Sequence, residues 1–269
     1  MSKIKIAVIA AAVVVVVLLL VFIPPTTLLH LGCDLGPLIT GSGPVVTKEY
    51  LIEGFNWVVV SSAVEVEITR SIDHSITITG YENLIERLEV DLSGQKLIIR
   101  LKPGRYFNNN VKAVITMPDL SKFVVSGASS GTAKGFTSAD DFDLEVSGAS
   151  RVDFSIETGN TNLNISGASK VAGELKAQDI RLTVSGVSHC ELTGSGGNTN
   201  LNVSGASQVN LLQFQIQNAD VNISGASRAT INMTGTLNVD LSAASSLEYT
   251  GDVDLGKVTI TGASRMSSQ

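Results

Sequence analysis

Leu201–Leu212 reads LNVSGASQVNLL, and close copies flank it: LNISGASKVAGEL at Leu163–Leu175 and VNISGASRATINM at Val221–Met233. In each, apolar and polar residues alternate around a small-residue break. Aligning on the first residue of the break collects Ser126, Ser147, Ser166, Ser185, Ser204, Ser224, Ser242 and Thr261. These eight units recur at intervals of 18 to 21 residues, most often 19. A fixed period of that length marks a repeat architecture and has to be read before any local motif.

The columns of the alignment define the unit. One residue before the aligned Ser stand Val125, Val146, Ile165, Val184, Val203, Ile223, Leu241 and Ile260, and three before it Phe123, Leu144, Leu163, Leu182, Leu201, Val221, Val239 and Val258. The intervening column is polar in every unit but the first: Glu145, Asn164, Thr183, Asn202, Asn222, Asp240 and Thr259. Successive side chains of a strand point to opposite faces, so this is a strand with an apolar inner face. After the aligned Ser comes Gly in seven units and Ala243 in the eighth, then Ala (Val187 once), then Ser in all eight. Small residues suit a sharp corner where neighbouring coils stack closely. Alternation then resumes with Val152, Val171, Cys190, Val209, Ala229, Leu247 and Met266 inward. Two residues further on, Gly173 breaks a column otherwise held by Phe154, Leu192, Leu211, Ile231 and Tyr249.

One unit is therefore strand, corner, second strand and variable connection, and nineteen residues cannot bury that apolar face alone. Stacking the copies buries it, each strand pairing with its equivalent in the next coil. The reading is all-β, a right-handed parallel β-helix (solenoid) of about 19-residue coils. At roughly 4.8 Å per coil, eight coils make a column about 35–40 Å long. A helical repeat is excluded because the apolar spacing lacks the i, i+3, i+4, i+7 pattern. A calcium-loaded β-roll is excluded because acids do not recur in register.

The N-terminus differs. IAVIAAAVVVVVLLLVFI, residues 6–23, is an unbroken apolar run of 18 residues. As a helix it spans about 27 Å, near the hydrocarbon thickness of a bilayer. Lys3 and Lys5 precede it and Pro24-Pro25 follow, so we expect one N-terminal transmembrane helix, a cytoplasmic N-terminus and an exported remainder. A cleaved signal peptide is the alternative, and lipidation at Cys33 is another, although His30 sits where a lipid-attachment motif has an aliphatic residue. The domains read as cytoplasmic stub and transmembrane signal anchor (1–25), linker (26–44), N-terminal β region (45–120) and SGAS-repeat β-helix (121–269). Within the β region, GFNWVVVSSAVEVEIT (Gly54–Thr69) fits the repeat frame as an early coil, with Ser62 in place of Gly. An elaboration interrupts the stack before Ser126: strands in HSITITGY, LEVDLSGQKLIIRLKPG and VKAVITMPDL, a short helical turn near Tyr81–Leu88, and an exposed loop at Arg105–Asn110. Trp57, the single tryptophan, points outward, where it meets a capping segment or a ligand.

Chemistry is sparse. The net charge of −6 provides no basic surface, so nucleic acid is not an expected partner. Two cysteines, Cys33 and Cys190, are too few for a disulfide framework. Eight corner serines look like nucleophiles, but only His189 among the three histidines lies in the repeats, so ladders of corner hydrogen bonds explain them better. Cys190 and His189 face opposite sides of a strand and do not form a dyad. Asp140, Asp141, Asp143 and Glu145 are the densest acidic cluster, with Asp143 and Glu145 on one face; no Arg or Lys column is read beside them, and a solvated face is the expectation. Sequons at Asn164, Asn202, Asn222 and Asn232 follow from the outward Asn and Ser columns. No catalytic residues, cofactor or metal ligands are expected.

GFNWVVVSSAVEVEIT, LEVDLSGQKLIIRLKPG, VKAVITMPDLSKFVVSGAS and the repeated SGAS units together resemble the head GIN domain family of auto-transporter adhesins, prokaryotic envelope proteins. The resemblance covers roughly Val45 to the C-terminus. It implies a β-helical fold on the outer side of the envelope and offers no catalytic motif. The combined expectation is a membrane-anchored, extracytoplasmic, non-catalytic surface module that binds envelope polymers, surface proteins or itself. A polysaccharide-acting enzyme using Asp141, Asp143 and Glu145 is the alternative, and a structural spacer another. Because TGASRMSSQ ends the repeats without a cap, self-association through that end is expected. Light scattering across a wide concentration range would detect it, and a strict monomer would count against it.

Overall fold

The computed structural model describes residues 38–269, which form an all-β solenoid. The strands upstream of each corner, among them Phe142–Val146, Thr161–Ile165 and Ile180–Val184, stack in parallel, Leu144 opposite Leu163 and Leu163 opposite Leu182. The downstream strands do the same, with Val152 opposite Val171 and Val171 opposite Cys190. Further along, the turn between coils is itself hydrogen-bonded. His189–Val203 and Gln208–Ile223 therefore run as single strands from the downstream side of one coil into the upstream side of the next.

The inner columns form one continuous core, Leu163, Ile165, Leu182, Val184, Leu201 and Val203 from the upstream side meeting Val152, Val171, Cys190 and Val209 from the other. Each such side chain contributes about 1.5–3 kcal/mol on burial, so the stack is held by repetition of small terms. The odd Gly173 has a packing reason. It lies opposite Phe154, whose ring fills the space where a Cβ on Gly173 would sit. One large ring thus takes the interior volume of two coils.

The corner depends on close backbone approach. Gly167, Gly186, Gly205 and Gly225 have φ between 76° and 80°. A Cβ on Gly186 would also run into the carbonyl oxygen of Gly167, and the same holds from coil to coil. That proximity carries the ladder through the bend, since Val187 N–H donates to Gly167 O at 2.7 Å and Ala206 N–H to Gly186 O at 2.8 Å. Ala243 adopts φ 66° without being glycine, a conformation L residues reach at a cost of about 1–2 kcal/mol.

The N-terminal region corrects one expectation. The early coil, with strands Trp57–Val60 and Glu65–Arg70, stacks directly on the coil of Lys122–Val125 and Ser130–Thr137. The elaboration does not interrupt the stack; it wraps to the opposite side. There Lys96–Leu101 and Lys112–Met117 supply a further parallel layer under the early coil. Antiparallel strands close both ladders beyond that layer: Leu88–Ser93 on one, Ser75–Tyr81 and then Val45–Tyr50 on the other. The expected helical turn is Glu82–Ile85, which buries Leu84 and Ile85 over this end. Arg105–Asn110 is not simply an exposed loop. Arg105–Phe107 pairs in parallel with Leu38–Thr40, a strand within the stretch read as linker. Asn108 and Asn109 then donate to the carbonyls of Gly41 and Ala63, and Asn110 accepts from Tyr81 N–H.

The far end is open. Val253–Ile260 and Arg265–Ser268 pair on one side only, and their Leu255, Val258 and Ile260 are exposed. Among the described residues no helix is long and apolar enough to cross a membrane. The apolar run 6–23 and Cys33 lie outside the described residues.

Gly186→Ala combines a left-handed backbone with a steric conflict and is expected to lower stability by about 2 kcal/mol or more. Ala243→Gly is expected to raise it by up to about 1 kcal/mol, the relief of strain being partly offset by a freer unfolded chain. Urea unfolding of both variants beside the parent checks the pair of opposite signs.

Candidate functional site

The corner serines are structural. The last Ser is buried in every unit but the final one, and several of these hydroxyls donate to a corner carbonyl: Ser150 to Ser147 O at 2.7 Å, Ser169 to Ser166 O at 2.8 Å, Ser188 to Gly167 O at 3.3 Å, while Ser227 accepts from Ser207 N–H. Ser129 is the exception, a buried hydroxyl without a protein partner. None has a base beside it: His74 is held by Phe55 O at 2.9 Å, and His189 lies on the outer face of its strand. Cys190 is fully buried on the inner face, where desolvation, helped by the charge of Glu191, pushes its thiol up to about 12. A thiol in that state is a small hydrophobe, not a nucleophile.

The acidic cluster is a set of paired surface groups. Asp143 and Glu145 share the outer face, as their spacing requires. Among the described residues no column of cations stands beside them, but a single cation does. Lys122 pairs directly with Asp143 in the ladder and its Nζ lies 2.5 Å from Glu145 and 4.0 Å from Asp143. Asp141 accepts from both Asn160 N–H and its side-chain amide, at 3.0 and 3.1 Å. Lys122 also lies over one side of Trp57, at 5.1 Å from the ring centroid, with Lys96 of the N-terminal layer at 4.9 Å. Trp57 therefore clamps the cap to the repeats, as the capping alternative required.

The main concavity is a groove of about 660 Å³ running along the upstream face. Its two rims are columns of the repeat. One holds Asp141, Asn160, Asp179, Asn198 and Asn218; the other holds Asp143, Asn162, Arg181, Asn200 and Asp220. The rims are tied from coil to coil by amides: Asn198 to Asp179 at 3.0 Å, Asn218 to Asn198 at 3.1 Å, Asn238 to Asp220 at 2.8 Å. Each coil thus presents amide donors beside carboxylate and carbonyl acceptors, the mixture that matches hydroxyl groups. No aromatic side chain lines the groove. The second of these columns lies four residues before the aligned Ser and is outward by strand alternation; that it and the column six before the Ser flank a groove is a tertiary feature.

A second column was missed. Four residues past the aligned Ser stand Ser130, Arg151, Lys170, His189, Gln208, Arg228, Ser246 and Arg265. The structure aligns them in one axial row, Arg151 opposite Lys170 and Lys170 opposite His189. The chain's net charge of −6 conceals this local basic row, so the expectation of no basic surface is corrected here. The signal was present in the same alignment that revealed the inner columns.

The family model described as "Putative auto-transporter adhesin, head GIN domain" matches residues 54–252, and the chain belongs to that family. No curated protein matches. Among solved structures, a "putative adhesin" from Parabacteroides merdae aligns with a TM-score of 0.80 at 18% identity, covering 87% of this chain and 100% of that one. A "putative lipid binding protein" from Parabacteroides distasonis aligns with a TM-score of 0.81 at 18% identity, covering 86% and 99%. A "putative adhesin" from Bacteroides fragilis aligns at 0.68 and 18%, covering 86% and 100%. At these identities the likeness establishes the shared fold.

Burial of Cys190 predicts that it does not react with a thiol reagent in the native protein at pH 8 and reacts on unfolding. Its ionisation is pushed up to about 12 in the folded protein, from an ordinary thiol value of 9.0. The unfolded state therefore sheds this proton first, and Cys190 costs stability as pH rises above about 9. A Cys190→Ala variant is expected to lose less stability than the parent between pH 8 and 10.5 in urea titrations.

Proposed function

We infer that this head GIN protein is a membrane-anchored, extracytoplasmic, non-catalytic solenoid that attaches to envelope polymers through its long polar faces. The groove on the upstream face carries the reading: two rims of Asn and Asp, repeated at every coil rise of about 4.8 Å, make one extended polar track. A linear polyhydroxylated polymer laid along the axis meets the same donors and acceptors at each step. The occupant favoured by this chemistry is an uncharged polysaccharide, because the amides and carboxylates of the rims pair with hydroxyls, and four aspartates against the one cation Arg181 disfavour an anionic chain.

The adhesin description of the family supports attachment as the role, and residues 6–23 supply the proposed anchor, which leaves the solenoid on the extracytoplasmic side. Against the enzyme alternative, Asp141, Asp143 and Glu145 are engaged by Asn160 and Lys122. A pair of carboxylates working as acid and base needs distinct environments, one of them holding a proton.

Asn162 and Arg181 project from the rim without tying neighbouring coils together, so substituting them tests the groove and spares the ladder. Asn162→Leu with Arg181→Leu is expected to weaken attachment of the full chain to neutral oligosaccharides by about tenfold, with an unchanged melting temperature. Attachment equal to the parent's on a glycan panel would reject the groove as the binding face.

A further inference from the structure

The basic row lies on the other side of the corner from the groove. Arg151, Lys170, His189, Gln208, Arg228 and Arg265 occupy equivalent positions, with only Ser246 interrupting the run between the last two. Placing Arg151 directly opposite Lys170 on adjacent parallel strands costs stability, since like charges face each other at one strand spacing. Arg151 is offset by Asp153, 3.3 Å away. Lys170, Arg228 and Arg265 have no carboxylate within 4.0 Å among the described residues, and all three are exposed. Arg228 Nε donates to Ser246 Oγ of the next coil at 3.3 Å.

The surface beside the row has a matching shape. A trough of about 330 Å³ runs between the corner alanines Ala206, Ala226, Ala244 and Ala263 on one side and Gln208, Arg228 and Arg265 on the other. Its surface there is alanine methyl groups, backbone and the serines Ser227, Ser245 and Ser246. No charge stands on the corner side. A chain lying in the trough therefore approaches the backbone closely and meets Arg228 and Arg265 along one edge only, two coil rises or about 10 Å apart.

We propose that this corner trough binds an acidic polysaccharide, a linear glycan carrying carboxylate or sulfate groups, whose anions pair with Arg228 and Arg265 in the trough and with Lys170 three coils further along the same row. The trough is a different surface with a different ligand class from the neutral-polymer groove. Acidic glycan is favoured over single-stranded nucleic acid because no aromatic ring lines the trough to stack a base. It is favoured over a globular acidic protein because the trough is straight and shallow, and its charges repeat along one axis.

The test uses the full chain in nanodiscs of zwitterionic lipid and measures binding of oligogalacturonate, a sulfated oligosaccharide, a neutral malto-oligosaccharide and an oligothymidylate. Either acidic sugar is expected to bind more tightly than the neutral one, with affinity falling as salt is raised from 50 to 300 mM on the scale set by Debye screening, roughly 10 Å at 0.1 M. Lys170→Gln, Arg228→Gln and Arg265→Gln together are expected to reduce that binding about tenfold or more, whereas Asn162→Leu with Arg181→Leu leaves it unchanged. The triple variant's melting temperature is expected to stay within a few degrees of the parent's, because all three side chains are exposed. Unaltered acidic-glycan binding in the triple variant, tighter binding of oligothymidylate than of either acidic sugar, or a melting temperature several degrees below the parent's would each overturn the proposal.

Discussion

Everything in this molecule hangs on one contact, the approach of each corner to the corner beneath it. Gly186 sits so close to Gly167 that a methyl group does not fit, and at that distance Val187 N–H reaches Gly167 O. The ladder of backbone hydrogen bonds therefore continues around the bend and does not end at each strand. Because the pairing is residue to equivalent residue, a column in the aligned sequence becomes a row along the solenoid axis. The core, the amide-tied rims and the basic row are all consequences of that register.

A solenoid leaves two ends where both ladders offer unpaired backbone groups. This chain closes the N-terminal end by a detour. The early coil is laid down first, the chain then runs outward to build another layer and an antiparallel cap, and returns to continue the stack from Lys122. Residues far apart in sequence consequently meet, and Trp57 is gripped by Lys96 and Lys122 from the layers on either side. The C-terminal coil has no such cover among the described residues, and its inward positions Val258 and Ile260 are correspondingly exposed.

The polar residues divide by direction. Those turned inward are satisfied within the corner, as Ser169 is by Ser166 O, and stabilise the bend. Those turned outward bind one another only partly. Asn198 and Asn218 are tied into a rim, but Asn162 and Lys170 are free to face a ligand. Hydroxyl-matching groups on one side of the corner and unpaired cations on the other give the two faces different chemistry on a single scaffold.

The sequence by itself determined the repeat, the inward columns, the corner and the early coil, because strand alternation and the 19-residue period are local properties that stacking preserves. It also contained the basic row, which net charge averaged away. Tertiary structure alone decided which side of the early coil the elaboration would occupy, that Lys122 would neutralise Glu145, that Phe154 would use the space left by Gly173, and that two Asn/Asp columns would flank a groove. These depend on contacts between separate coils and on how the chain bends between strands, and a period read along one strand carries no information about either.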